Sequence, residues 1–99
     1  MKFDFLGKEQ APDLAGVYAF WFRKNGRCVY IGKAEKNLKK RLDNHWNNVS
    51  SNNKLQLWIK AFGHSSLDFC YKAVSFERID VLERRLIHIW QPAANEQYK

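Results

Sequence analysis

Ninety-nine residues, 45% of them apolar, make one domain spanning 1–99 with a single core, and they argue against a disordered or multidomain chain. Seventeen Lys and Arg against ten Asp and Glu leave a formal net charge of +7. A surface of that sign favours polyanions, nucleic acid first among them. No apolar run is long enough to span a bilayer, and Met1–Phe5 carries no signal-peptide pattern, so no membrane partner is expected. Cys28 and Cys70 lie outside any CxxC pair, each in a strand-like run. They read as buried free thiols of a reducing cytoplasm rather than zinc ligands.

The elements follow in chain order. Residues 1–13 form a lead-in ending near Pro12. Gly16–Phe22 is rich in β-formers and reads as a strand, Arg23–Arg27 as a hairpin turn around Asn25-Gly26, and Cys28–Gly32 as the returning strand. Leu38, Leu42, Trp46 and Val49 recur at helical spacing, which predicts an amphipathic helix over Asn37–Asn48 with Asn37 as N-cap. Ser50–Asn53 breaks it. Leu55, Trp58, Ile59 and Phe62 mark a second helix, stopped by Gly63. Leu67–Ser75 fits a third strand with Phe69, Tyr71 and Ala73 on one face. A last helix starts near Glu77 or Arg78 and ends before Pro92, with Ile79, Leu82, Leu86 and Trp90 inward. The order β-β-α-α-β-α describes an α+β fold, a small, mainly antiparallel three-stranded sheet flanked by helices.

Some residues resist a purely structural reading. On a wheel of about 100° per residue with Ile79 at zero, Glu83 falls near +40°, inside the apolar stripe and beside Ile87. A carboxylate there must be paired, protonated or metal-bound, or else sit at the stripe's edge and reach solvent. Arg41 and His45, four apart, share one face at the rim of the Leu38/Leu42 stripe. A guanidinium there can hold a phosphate, and an imidazole can move protons near neutral pH, although a helix-surface histidine is the more ordinary account of His45. Tyr18, Tyr30 and Lys33 say nothing individually.

Together these residues resemble the GIY-YIG nuclease domain. Gly16-Val17-Tyr18 is similar to the first signature, with Val for Ile, and Tyr30-Ile31-Gly32 matches the second. Val29–Ala34 followed by Asn37–Leu42 is especially similar to the N-terminal nuclease domain of bacterial excision-repair endonucleases. Glu83–Ile87, Pro92 and Asn95 follow the family's closing pattern. The likeness covers about Gly16 to Asn95, a core of about 14–96.

The resemblance implies an endonuclease that hydrolyses DNA phosphodiester bonds with one divalent cation, Mg²⁺ or Mn²⁺. Glu83 would be its sole carboxylate ligand. Tyr18 would take the proton of the attacking water. Lys33 and His45 would lower the phenol's pKa or relay the proton. Arg41 would neutralise charge on the phosphorane, and Tyr30 and Asn95 would orient these groups. Lys33, Lys36, Lys39, Lys40 and Arg41 are expected to hold the nucleic acid. Specificity is expected to come from a homodimer, a partner protein or nucleic-acid shape. The alternative is a basic nucleic-acid-binding module of the same fold that does not cut.

Two tyrosines sharing a site must face one side of the sheet, which makes register decisive. A two-residue Asn25-Gly26 loop would pair Tyr30 with Trp21 and put the rings on opposite faces. A three-residue Lys24–Gly26 loop, with Gly26 left-handed as a G1 bulge, would pair Tyr30 with Phe20 and Tyr18 with Gly32. The second is expected.

Overall fold

A computed structural model describes residues 3, 7, 9–47 and 53–95. Its strands are β1 (Gly16–Phe22), β2 (Cys28–Ala34) and β3 (Leu67–Ala73). Its helices are α1 (Leu38–Trp46), α2 (Asn53–Phe62) and α3 (Phe76–Trp90), with a 3₁₀ turn at His64–Ser66. The expected element order holds. The sheet runs β2-β1-β3, antiparallel throughout. Among the described residues no helix is long and apolar enough to cross a membrane.

β1 is central, so both of its edges are paired, and helices pack on both of its faces. Tyr18 and Phe20 enter a core with Leu38 and Leu42 of α1, Leu55 and Ile59 of α2, and Phe69 of β3. Ala19 joins Ile31 and Ile87 of α3 on the opposite face, with Trp21 and Leu86 packed alongside. The alternation of β1 thus sends Tyr18, Phe20 and Phe22 to the α1/α2 layer, and Ala19 and Trp21 to α3.

The tyrosine register is the expected one, with Tyr18 opposite Gly32 and Phe20 opposite Tyr30. The route to it differs. The loop has four residues, Arg23–Gly26, because Phe22 N–H donates to Arg27 O (2.8 Å) and Gly26 N–H to Phe22 O (2.8 Å). Arg23 N–H is drawn instead to Ser66 O, 2.9 Å away, and cannot pair with Arg27. A bulge then shifts the register between Phe20 and Trp21, leaving Val29 as the extra residue on β2. Gly26 is left-handed, at φ 68°, as expected.

Several boundaries and burials differ from expectation. α1 is helical from Leu38, capped by Asn37, whose Oδ1 accepts Lys40 N–H at 3.0 Å. Val49 and residues 48 and 50–52 of the expected helix end and break lie outside the described residues, and Asn53 already belongs to α2. Gly63 ends α2 at φ 82°. β3 stops at Ala73, which is exposed, and α3 begins one residue before Glu77. Trp90 is 40% exposed rather than inward; the buried line of α3 is Ile79 and Ile87. The apolar stripe is therefore rotated toward Glu83. The thiols are not both buried: Cys70 is exposed and Cys28 only half-buried. Cys70 is open because α3 lies on β2 and β1 rather than on β3. Burial still pushes the Cys28 thiol up to about 12.

The outer edge of β2 is covered by the chain leaving α3. Gln91, left-handed at φ 46°, turns that chain while its N–H caps Ile87 O. Ala93 and Ala94 N–H groups then donate to Cys28 O (3.3 Å) and Val29 O (2.7 Å). Asn95 completes the edge with its side chain, accepting from Ile31 N–H (2.8 Å) and donating to Ile31 O (2.9 Å). An otherwise unpaired strand edge is thereby closed.

Candidate active site

The signature glycines are spaces. A Cβ at Gly32 would stand 2.4 Å from the Tyr18 hydroxyl and 2.8 Å from the Tyr30 ring. A Cβ at Gly16 would meet Lys72 O at 2.3 Å and Leu38 Cδ1 at 2.7 Å. Gly32 therefore lets the Tyr18 phenol reach over β2, and Gly16 lets β3 and α1 close on β1. The two tyrosine rings lie on one face, centroids 6.2 Å apart.

From α1, Arg41 and His45 reach this face one turn apart. His45 is buried, and its Nε2 lies 2.6 Å from Tyr18 Oη. Arg41 Nε–H donates to the same oxygen at 3.2 Å. Burial pushes the Tyr18 phenol far above its usual value, with Tyr30 adding to the shift and Arg41 opposing it. Tyr30 shifts upward for the same first cause. Burial, then the adjacent Arg41 charge, push His45 down to about 3. A protonated phenol beside a neutral imidazole means that Tyr18 O–H donates to His45 Nε2. His45 Nδ1 is buried with no hydrogen-bond partner among the described residues. His45 is thus a buried partner of Tyr18, not a surface histidine.

Glu83 comes from α3, between Ile79 and Ile87, and is half-buried. Among the described residues no ion pair or hydrogen bond engages its carboxylate. Burial raises its pKa, while Lys33, Arg84 and Arg41 pull it down. The wheel's suggestion of a carboxylate inside the stripe is correct.

Lys33 does not join the phenols. It alternates to the opposite face of β2, where its Nζ lies 2.5 Å from Asp80 Oδ1 and 3.9 Å from Glu35 Oε1. Asp80 holds the ammonium above its usual pKa, so it stays charged. Of the two residues expected to assist Tyr18, only His45 touches it. Asn95 lies on the Ile31 backbone, between Tyr30 and Gly32 in sequence, and fixes the strand rather than a reacting group.

A cleft of about 330 Å³ opens beside this cluster, lined by Lys33, Lys36, Lys40 and Arg41 with Asn37 and Asn44. It gathers four of the five basic residues expected to hold nucleic acid. Lys39 is directed elsewhere and pairs with Glu9 at 3.0 Å. The sequence reading missed Asp80 and Asn44. Asp80 had a signal, three residues before Glu83 on one helix face; Asn44 had none beyond its neighbours on α1.

Residues 14–96 match the family model of the GIY-YIG catalytic domain. The UvrABC system protein C of Fusobacterium nucleatum is 31% identical over 90 residues, covering 91% of this chain and 14% of that protein. That of Pseudothermotoga lettingae is 39% identical over 98 residues, covering 97% and 17%. The chain thus spans between about one-seventh and one-sixth of the length of these relatives. Its fold is similar to the crystal structure of the GIY-YIG N-terminal endonuclease domain of UvrC from Thermotoga maritima, bound to its catalytic magnesium. The TM-score is 0.72 at 27% identity, over 92% of this chain and 93% of that one. Family model, fold and the tyrosine pair in register agree: the chain belongs to the GIY-YIG family.

Proposed function

We propose that this chain is a divalent-metal-dependent endonuclease that hydrolyses DNA phosphodiester bonds. The observation that carries the reading is Glu83, a half-buried carboxylate unpaired among the described residues, near Arg41 and the basic cleft. A folded protein retains such a group where a ligand repays its burial.

The residues fit one Mg²⁺ or Mn²⁺. Among the described residues no three His, Cys, Asp or Glu side chains converge on one point. Glu83 would hold the cation alone, with water and phosphate oxygens completing the shell. When bound, the cation supplies stabilisation of the leaving 3′ oxygen.

The chain's own groups divide the remaining work. Lys36, Lys40 and Arg41 bind the backbone along the cleft. Arg41 presents a guanidinium both to the phosphate and to Tyr18 Oη. Tyr18 Oη accepts the proton of the attacking water as its own proton passes to His45 Nε2 along the 2.6 Å bond. A phosphate on Arg41 offsets one of the two influences that keep His45 neutral, so substrate prepares the imidazole to accept. Tyr30 shares the face beside Tyr18, and Asn95 fixes the strand that carries it. Lys33, fully charged, lies on the far side of β2 with Glu83 and favours anion binding rather than proton transfer. A module that merely bound DNA would gain nothing from the Tyr18–His45 pair or from Glu83. Substrate choice would come from a second copy, a partner protein or nucleic-acid shape.

The test is supercoiled plasmid incubated with Mg²⁺ or Mn²⁺, comparing wild type with Glu83→Ala. Metal-dependent nicking should fall by at least about a hundredfold in the variant. Equal nicking by both proteins, or none by wild type, would refute the assignment.

A further inference from the structure

Lys33 has a choice of carboxylates. Asp80 and Glu83 are three apart on α3, so both face the edge of β2 that carries Lys33. The ammonium contacts Asp80 and stands 3.9 Å from Glu35, yet makes no ion pair with Glu83. Lys33 nonetheless acts on Glu83 more strongly than any other charged neighbour. Of the other cations facing Glu83, Arg41 is bonded to Tyr18 from α1, and Arg84 acts from α3 itself. Lysine carries a compact charge on a flexible stem, which can move between adjacent acceptors. An ammonium seated on Glu83 would neutralise the carboxylate and repel a divalent ion.

From this arrangement we infer that Asp80 is a positioning residue, holding the Lys33 ammonium off Glu83 and so keeping that carboxylate open to a divalent cation. The inference rests on Glu83 as the cation's ligand. Asp80 belongs to neither tyrosine signature nor to the Glu83-Pro92-Asn95 pattern. It lies on the exposed side of α3. Its side chain is 62% exposed, so its pair with Lys33 is weak in stability terms. A weak pair suffices, because it only has to decide between two seats.

The test is Mn²⁺ binding to the whole chain, followed by the electron paramagnetic resonance of the free ion. Wild type, Asp80→Asn, Lys33→Met and the double variant are compared, each checked for an unchanged melting transition. Asp80→Asn should weaken Mn²⁺ binding about two- to fivefold, the scale of one exposed ion pair. With Lys33→Met already present there is no ammonium to reseat, so Asp80→Asn should leave binding unchanged. Asp80→Glu should keep wild-type affinity. Equal weakening in both backgrounds would mean that Asp80 acts by its charge alone, which overturns the inference. So would Asp80→Asn binding as tightly as wild type. A wild-type chain that binds no Mn²⁺ overturns the reading of Glu83 as well, so the two failures are distinguishable.

Discussion

His45 shows how much depends on one side chain. Unfolded, it titrates near 6.5; folded, burial and Arg41 push it down to about 3. Below pH 6.5 the unfolded chain takes up a proton that the folded chain refuses. Stability is therefore full above about 6.5 and is lost as pH falls toward 3, on the order of 1 kcal/mol per pH unit. Urea unfolding of wild type between pH 7 and 5 should show this decline, and His45→Gln should flatten it. Parallel slopes in the two proteins would mean that the imidazole is not held neutral. At this scale the sequence was informative about Glu83, whose wheel angle placed a carboxylate among Ile79 and Ile87. It was ambiguous about His45, because a rim position says nothing of which layer closes over it. Lys33 was mute in sequence; the resemblance implied a role beside Tyr18, but alternation sends it to the face of Asp80.

At the scale of elements, two glycines that look alike in sequence do different jobs. An added methyl at Gly16 meets backbone, Lys72 O at 2.3 Å, so β1 and β3 would have to separate. At Gly32 it meets the Tyr18 hydroxyl at 2.4 Å, a group that can shift only by leaving His45 and Arg41. Gly16→Ala should cost stability, about 1–3 kcal/mol by overpacking, seen as a lowered urea midpoint. Gly32→Ala should lose more in cleavage rate than in midpoint. The opposite ranking would contradict the account of both signatures. The periodicities made the six expected elements legible, and the tyrosine pairing followed from the resemblance, which requires both rings on one face. The loop length was not legible, because the bond from Arg23 to Ser66 joins residues far apart in sequence and the bulge at Val29 compensates for it. The rotation of α3 was equally hidden. Trp90 has the largest side chain of its stripe, but the helix lies over β2 and β1, and the indole meets Trp21 at the rim with ring centroids 5.0 Å apart.

For the whole molecule, the net charge of +7 announced a polyanion partner without saying where it would lie. The fold gathers Lys33, Lys36, Lys40 and Arg41 in the cleft at the start of α1, the place the proposed function gives to the phosphates, while Lys39, inside the same run of sequence, pairs with Glu9. The proposed site draws on opposite layers: Tyr18, Tyr30, Arg41 and His45 belong to the α1 face, Glu83 and Lys33 to the α3 face, and the charges of both Lys33 and Arg41 act on Glu83. The central claim is that Glu83 holds a divalent cation in that site. Crystals of the chain grown or soaked in Mn²⁺, measured for anomalous scattering, test it most directly. One peak within about 2.3 Å of a Glu83 carboxylate oxygen, absent from Glu83→Ala crystals, is the predicted result. Anomalous density at other carboxylates with none at Glu83, in a chain that cuts DNA, would contradict it.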